Sequence, residues 1–392
     1  MIALTHRSAK ARMVLLACGL IAAGVAASPA GAVPDRNVDT SAGATSGAPS
    51  VDSYQTVRLS IPRPTGRHPV GVRSTYLLDP ARTDPTTGAP RAIPARVWYP
   101  ARPREAPSAP YFSAPVQAFI EQGLPSFGVP APAGLFDIDT HAGVAAPAHP
   151  HVRGVLLFMG GFLTPVALYT GLIADLASHG YAVVAYDHPH ETLVVEQPDG
   201  SLIPADLPDD AATFRARLLD IGVVLDALAH LVPQARRHTP IGILGHSNGG
   251  AAAGEAMLLH RELRAGVNLD GLIPGGALLP SGGLLTEGLD RPFGLMLSLD
   301  QRPEGLREIE IFLSNMRAPA PVRTLDVRHY GYSDFVIFNP QAQQADPALG
   351  AALEAAFPAG TLDSVRTGQR ALSQQRRSLA GFFDHFLKNT RR

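Results

Sequence analysis

Cysteine is nearly absent from this sequence: Cys18 is the only one in 392 residues. A single thiol cannot close an intrachain disulfide, so the fold must rest on its core. Lysine is almost as scarce, occurring at Lys10 and Lys388 only; the other basic residues are arginines. Lys10 falls in an apparent leader and Lys388 near the tail, which argues against a Schiff-base lysine. Charged residues make up 17% of the chain and the formal net charge is −1. A nucleic-acid binder would show a basic excess instead. What is plentiful is apolar surface, 45% of residues, enough for a large buried core. The length exceeds a usual single domain, but α/β enzymes often run past ~250 residues as one unit.

The N-terminus reads as an export signal. His6, Arg7, Lys10 and Arg12 form a basic region, Met13 to Ala27 an apolar one, and Ala30-Gly31-Ala32 supplies small residues at a cleavage site. The apolar run is shorter than the ~20 residues that span a bilayer. Only Met13 to Ala17 precede Cys18, too short a run for a lipoprotein leader. Cleavage after Ala32 is expected, giving a secreted chain. It removes three basic residues, no acid and the only cysteine, so no thiol nucleophile remains. Residues 33–53, rich in Ala, Gly, Ser, Thr and Pro without an apolar period, read as a disordered linker. Residues 54–392 are expected to form one domain.

Two alternating segments, Thr56 to Ile61 and Ala95 to Tyr99, read as half-exposed antiparallel strands. From Gly154 the pattern becomes strand, helix, strand, helix. Val155 to Phe158, Tyr181 to Tyr186 and Ile241 to Leu244 are wholly apolar, as strands covered on both faces are. Later strand candidates are Ala265 to Leu269, Phe293 to Leu299 and Val322 to Val327. Thr164-Pro165 reads as a helix start, Thr capping, and Gly180 as that helix's end. Asp209 or Asp210 is expected to cap a helix with Leu218, Ile221, Leu225 and Leu228 on one face. The pattern predicts a mostly parallel central sheet with helices on both faces and N-terminal antiparallel strands.

Gly245-His246-Ser247-Asn248-Gly249 fits G-x-S-x-G between a β-run and a helix, the nucleophile elbow of the α/β-hydrolase fold. The sharp turn strains the serine backbone and lifts its hydroxyl from the sheet. Flanking glycines let neighbouring chains approach. The next helix points its first amides at the oxyanion formed on attack. A serine hydroxyl needs a base, and the base an orienting carboxylate, in the order Ser, acid, His. Downstream of Ser247 lie His260, His329 and His385. His260 closes a helix and His385 lies within one. His329 opens a loop after a strand, where a catalytic base belongs. Asp270 and Asp300 both follow strand-like runs and compete for the third role.

Several further segments agree in order with one family. Val97-Trp98-Tyr99-Pro100, Leu168-Tyr169, Asp175 to Tyr181, Gly245 to Gly250, Asn268 to Gly271, and His329 with Ser333-Asp334-Phe335 are similar to motifs of the plasma-type platelet-activating-factor acetylhydrolases and their bacterial relatives. The likeness runs from about residue 96 to the end. It implies a triad of Ser247, Asp270 and His329, and an oxyanion hole from the amides of Phe162 and Asn248. It also implies hydrolysis of short-acyl, phospholipid-like esters without a metal or other cofactor. Two positions depart from the family: Met159-Gly160-Gly161 replaces its S-H-G, and Asn248 replaces Phe or Met after the serine. Both change the wall of the acyl pocket.

Other signals rank lower. His149-Pro150-His151 and His188-Pro189-His190 are H-x-H pairs without an accompanying metal motif, so loop hydrogen bonding is expected. The aromatic stretch 111–136 suits core packing, or alternatively a lid touching a lipid surface transiently. The expected partner is an ester or lipid-like small molecule, not nucleic acid. The alternatives are a cutinase- or polyester-type hydrolase and a non-catalytic binding protein on the same fold.

Overall fold

Strands that are apolar on both faces need cover on both sides, and the central sheet is built on that constraint. The structure, a computed structural model, describes residues 57–387 except 128, 130–133, 207–209, 274–282, 358–361 and 363–367. The expected leader 1–32, the linker 33–53, Asp209 and Lys388 lie outside the described residues. Two long strands come first, β1 (Val70–Thr83) and β2 (Pro90–Pro100), then helix α1 (Ala114–Gly123) and strand β3 (Ala142–Val144). The next units are β4 (Val155–Met159), α2 (Thr170–Ser178) and β5 (Ala182–Tyr186), then a hairpin of β6 (Val194–Glu196) and β7 (Leu202–Pro204). Helix α3 (Asp210–Leu231) leads to β8 (Ile241–His246), α4 (Asn248–Leu259) and β9 (Leu263–Leu269). After these come α5 (Gly283–Glu287), β10 (Phe293–Leu297), α6 (Pro303–Asn315) and β11 (Val322–Thr324). Helices α7 (Phe335–Ala345), α8 (Pro347–Ala356) and α9 (Gly368–Phe386) close the chain.

The nine-stranded sheet has the order β11-β10-β9-β8-β4-β5-β2-β1-β3. From β11 to β5 all neighbours are parallel; β2 runs against both β5 and β1. Two cores cover it. One holds Phe158, Val183 and Leu244 against α2, α7 and α9. The other holds Leu157, Val184 and Ile243 against α3, α4 and α6. Successive residues of a strand thus feed opposite cores, which is why β4, β5 and β8 carry no polar alternation. The topology sets β8 between β4 and β9, so their C-terminal ends lie side by side.

Several local expectations change. Residues 57–61 keep the expected alternation, with Val57, Leu59 and Ile61 buried, but form no strand. The Gln341 side chain takes the partner's place: its Oε1 accepts from the Ser60 amide at 2.8 Å and its Nε2 donates to the Ser60 carbonyl at 2.9 Å. Thr164 does not cap a helix; its hydroxyl donates to the Phe162 carbonyl at 3.0 Å. A 3-10 turn over Val166–Tyr169 precedes α2, and the Val166 amide donates to Asp187 instead. Gly180 does end that unit, at φ 101°. In the stretch 111–136, Tyr111, Phe112 and Phe136 are buried and stack edge to face, so these aromatics serve the core.

Leu157 is fully buried at the centre of the second core. Leu157→Ala removes that packing without touching the loops. It is expected to lower unfolding free energy by roughly 2–5 kcal/mol, read by denaturant titration.

Candidate active site

One residue makes the turn between β8 and α4. Ser247 has φ 54° and ψ −121°, a left-handed conformation that costs a non-glycine residue on the order of 1–3 kcal/mol. Close packing holds it there. A Cβ on Gly249 would lie 2.4 Å from the Met159 carbonyl oxygen, so only glycine lets the helix start against the end of β4. The Ser247 amide donates to the Leu269 carbonyl at 2.9 Å, tying the turn to β9.

Asp270 follows β9 and His329 opens a 3-10 turn after β11. The structure brings all three expected residues together. His329 Nε2 lies 3.2 Å from Ser247 Oγ, and His329 Nδ1 lies 2.7 Å from Asp270 Oδ2. A carboxylate only accepts, so Nδ1 carries the proton and Nε2 presents a lone pair to the hydroxyl. The other Asp270 oxygen accepts from the Ser298 amide and from Gln301 Nε2, both at 2.6 Å. Burial alone would raise the Asp270 carboxyl. Its hydrogen bonds from His329 and Ser298, with the attraction of the His329 ring, hold it below the ordinary value. The Asp270 side chain is 2% exposed and that of His329 is 26%, so the carboxylate is shielded while the imidazole can meet a substrate.

Asp300, the competing acid, lies elsewhere. Its carboxylate accepts from the His329 backbone amide at 2.8 Å and from Arg328 at 2.7 Å. It anchors the loop that carries the imidazole. At this turn the positive φ, 56°, belongs to Asp270 itself. Gly271 supplies room: a Cβ there would lie 2.2 Å from the Ser247 carbonyl.

Phe162 lies on the turn after β4, directly after Gly161, where an added Cβ would sit 3.1 Å from Ser247 Cβ. Asn248 is the first residue of α4, whose opening amides have no intrahelical acceptor. Both residues named for an oxyanion hole thus adjoin Ser247 along the chain or across the turn. Behind them is a buried pair that sequence reasoning missed. Arg217 and Glu191 form two hydrogen bonds, at 3.1 and 2.5 Å, and Arg217 also donates to the Gly160 carbonyl at 2.9 Å. Asn248 Nδ2 reaches Glu191 at 3.4 Å. The signal was Arg217 itself, next to Leu218 and four residues before Ile221 on the buried face of α3. The histidine pairs serve hydrogen bonds: His188 meets Asp220 at 2.7 Å, and His190 bridges Asp84 and Asp206 at 2.8 and 3.0 Å. Among the described residues no cluster of three or more His, Cys, Asp or Glu could hold a metal ion.

No family model matches the chain. Over 242 residues it is 29% identical to a protein of Arthroderma benhamiae named "Probable 1-alkyl-2-acetylglycerophosphocholine esterase", covering 56% of this chain and 60% of that protein. It thus spans about three fifths of that relative's length. It is also similar to the solved ferulic acid esterase from Streptomyces cinnamoneus, with a TM-score of 0.67 and 28% identity over 84% of this chain and 93% of that one. The fold is the α/β-hydrolase fold.

Arg217→Met leaves the Glu191 carboxylate buried without its partner. The expected loss of stability is about 3–5 kcal/mol, and Glu191→Gln added to the same chain should restore part of it. Chemical denaturation of the two variants checks both outcomes.

Proposed function

We propose that this chain is a serine hydrolase of carboxylic esters. The observation that carries the reading is the line from Ser247 Oγ through the His329 ring to Asp270, at 3.2 and 2.7 Å, on a strained elbow. Ser247 Oγ attacks the ester carbonyl carbon while His329 Nε2 takes its proton. The oxyanion accepts hydrogen bonds from the amides of Phe162 and Asn248. The C–O bond to the leaving group breaks, and the departing alkoxide takes the proton back from His329. Water, deprotonated by His329, then attacks the acyl carbon; the bond to Ser247 Oγ breaks, Oγ takes the proton back from His329, and the acid is freed. Asp270 keeps the imidazole in the tautomer this needs and offsets its charge when it becomes imidazolium. No step calls for a cofactor.

Short-acyl, phospholipid-like esters are the proposed substrates, supported by the ordered motif agreement and by the name of the Arthroderma benhamiae relative. Aromatic acyl esters are the second reading, favoured by the longer match to the ferulic acid esterase. Comparing kcat/KM on p-nitrophenyl acetate, longer acyl homologues, methyl ferulate and polyester film separates these readings. A preference for acetyl supports the first, and preference for ferulate or the film overturns it. Transient contact with lipid would fall to the exposed Leu272 and Leu299, which follow Asp270-Gly271 and Ser298. Export is part of the proposal, and the mass of the exported protein should correspond to cleavage after Ala32.

Ser247→Ala should fold and lose on the order of 10³-fold or more in turnover, together with labelling by a fluorophosphonate probe. Asp270→Asn should cost on the order of 10⁴-fold by disfavouring the required tautomer. Asp300→Asn should cost far less, because it loosens only the loop behind His329. A large loss at Asp300 with a small one at Asp270 would reverse their roles.

A further inference from the structure

Three segments distant in sequence meet around the serine: the turn at 160–164, the elbow at 246–248 and the loop opened by His329. Each supplies one part of the proposed chemistry, so their mutual placement matters as much as any one of them. Tyr169 lies behind them, fully buried. Its hydroxyl oxygen accepts from the Gly161 amide at 3.0 Å and lies 2.8 Å from His246 Nδ1. His246 Nε2 lies 2.9 Å from the His329 carbonyl oxygen.

Only one arrangement of protons satisfies all three contacts. A carbonyl accepts, so His246 Nε2 carries the proton and donates it to His329. A neutral ring then leaves Nδ1 as an acceptor, and the Tyr169 hydroxyl donates to it. The tyrosine oxygen is left to accept from Gly161. Burial, and then the neighbouring His329 ring, push His246 down to about 3, so it is neutral over the working range. Burial raises Tyr169 well above its ordinary value, so its hydroxyl keeps its proton. Gly161 makes the close approach possible, since a Cβ there would lie 3.1 Å from His246 Nδ1. The His246 and His329 rings are themselves 4.6 Å apart, centroid to centroid.

We propose that Tyr169 and His246 are positioning residues that lock the oxyanion turn to the loop of the base through this one-way hydrogen-bond chain. The proposal rests on the serine-hydrolase reading. Neither side chain belongs to the triad, and both act through backbone groups: the amide of Gly161, next to Phe162, and the carbonyl of His329. Losing the chain frees two segments at once. A displacement of about 1 Å in such a constellation costs on the order of 10²-fold in rate.

Steady-state kinetics on p-nitrophenyl acetate test it. Tyr169→Phe keeps the ring packed on Phe158 and removes the hydroxyl. Its kcat should fall about 10- to 100-fold with KM changed by less than about threefold. His246→Leu should fall at least as far. His246→Gln, whose amide has both a donor and an acceptor, should recover part of the loss, and it carries the test should Tyr169→Phe fail to fold. Tyr169→Phe with His246→Leu should be no slower than His246→Leu alone, because both break the same chain. Multiplying effects, a loss confined to KM, no recovery by His246→Gln, or Tyr169→Phe within about twofold of the parent would overturn the proposal. Fluorophosphonate labelling of the parent chain separates the two levels. A parent that labels and turns over while the variants behave like it removes only the hydrogen-bond chain, whereas a parent that neither labels nor turns over removes the hydrolase reading beneath it.

Discussion

The left-handed backbone of Ser247 is the constraint on which the rest of the site depends. A serine does not rest there unaided, and the cost falls on its surroundings. The surroundings answer with contact rather than flexibility. The start of α4 packs on the end of β4 through Gly249, and the turn after β9 packs on the Ser247 carbonyl through Gly271. Because β4, β8 and β9 are adjacent and parallel, fixing the serine also fixes the turns that leave its two neighbours. The strain is local, and the order it imposes extends across three strands.

Those turns hold buried polar groups, which an apolar core tolerates only when they are paired. Asp270 meets that demand with three partners, His329, the Ser298 amide and Gln301. Glu191 meets it with Arg217, whose Nη1 also donates to the carbonyl of Gly160. The same bonds that offset desolvation also aim the groups. In this site stability and alignment come from one set of contacts, so a change that weakens either shows in both. The S-H-G expected from the family resemblance is absent, yet the turn at Gly160-Gly161 still has a brace, supplied by α3 and by Tyr169 from the other side of the sheet.

The Arthroderma and Streptomyces proteins are both named esterases, one for an acetylglycerophosphocholine and the other for ferulic acid. A shared fold does not fix the ester that is cleaved, and discrimination belongs to the walls of a site. Asn248 and the Met159-Gly160-Gly161 turn, which adjoin Ser247, are the two places where this chain departs from the resemblance drawn from its motifs.

The central strands were legible in the sequence because burial on both faces leaves a short, wholly apolar run, as in Val155 to Phe158. The elbow was legible because its spacing answers to local geometry, and Ser247 stands where the β-run meets the helix. The segment 57–61 was legible only in part: alternation predicted which side chains are buried, but strand pairing depends on a neighbour, and here Gln341, some 280 residues on, fills that place. The choice between Asp270 and Asp300 was open on local grounds, since both end strands. Tertiary structure separates them by 59 and 29 residues of chain folded back on His329, one reaching its ring and the other its backbone. Arg217 with Glu191, and Tyr169 with His246, left only faint traces, because a buried pair is defined by distance in space and neither partner's own neighbourhood announces the other. Sequence alone determined the sheet, the turn and the candidate nucleophile, which follow from periodicity and local sterics. Which carboxylate meets the imidazole, and what holds the turn at Gly160-Gly161, were decided by long-range packing.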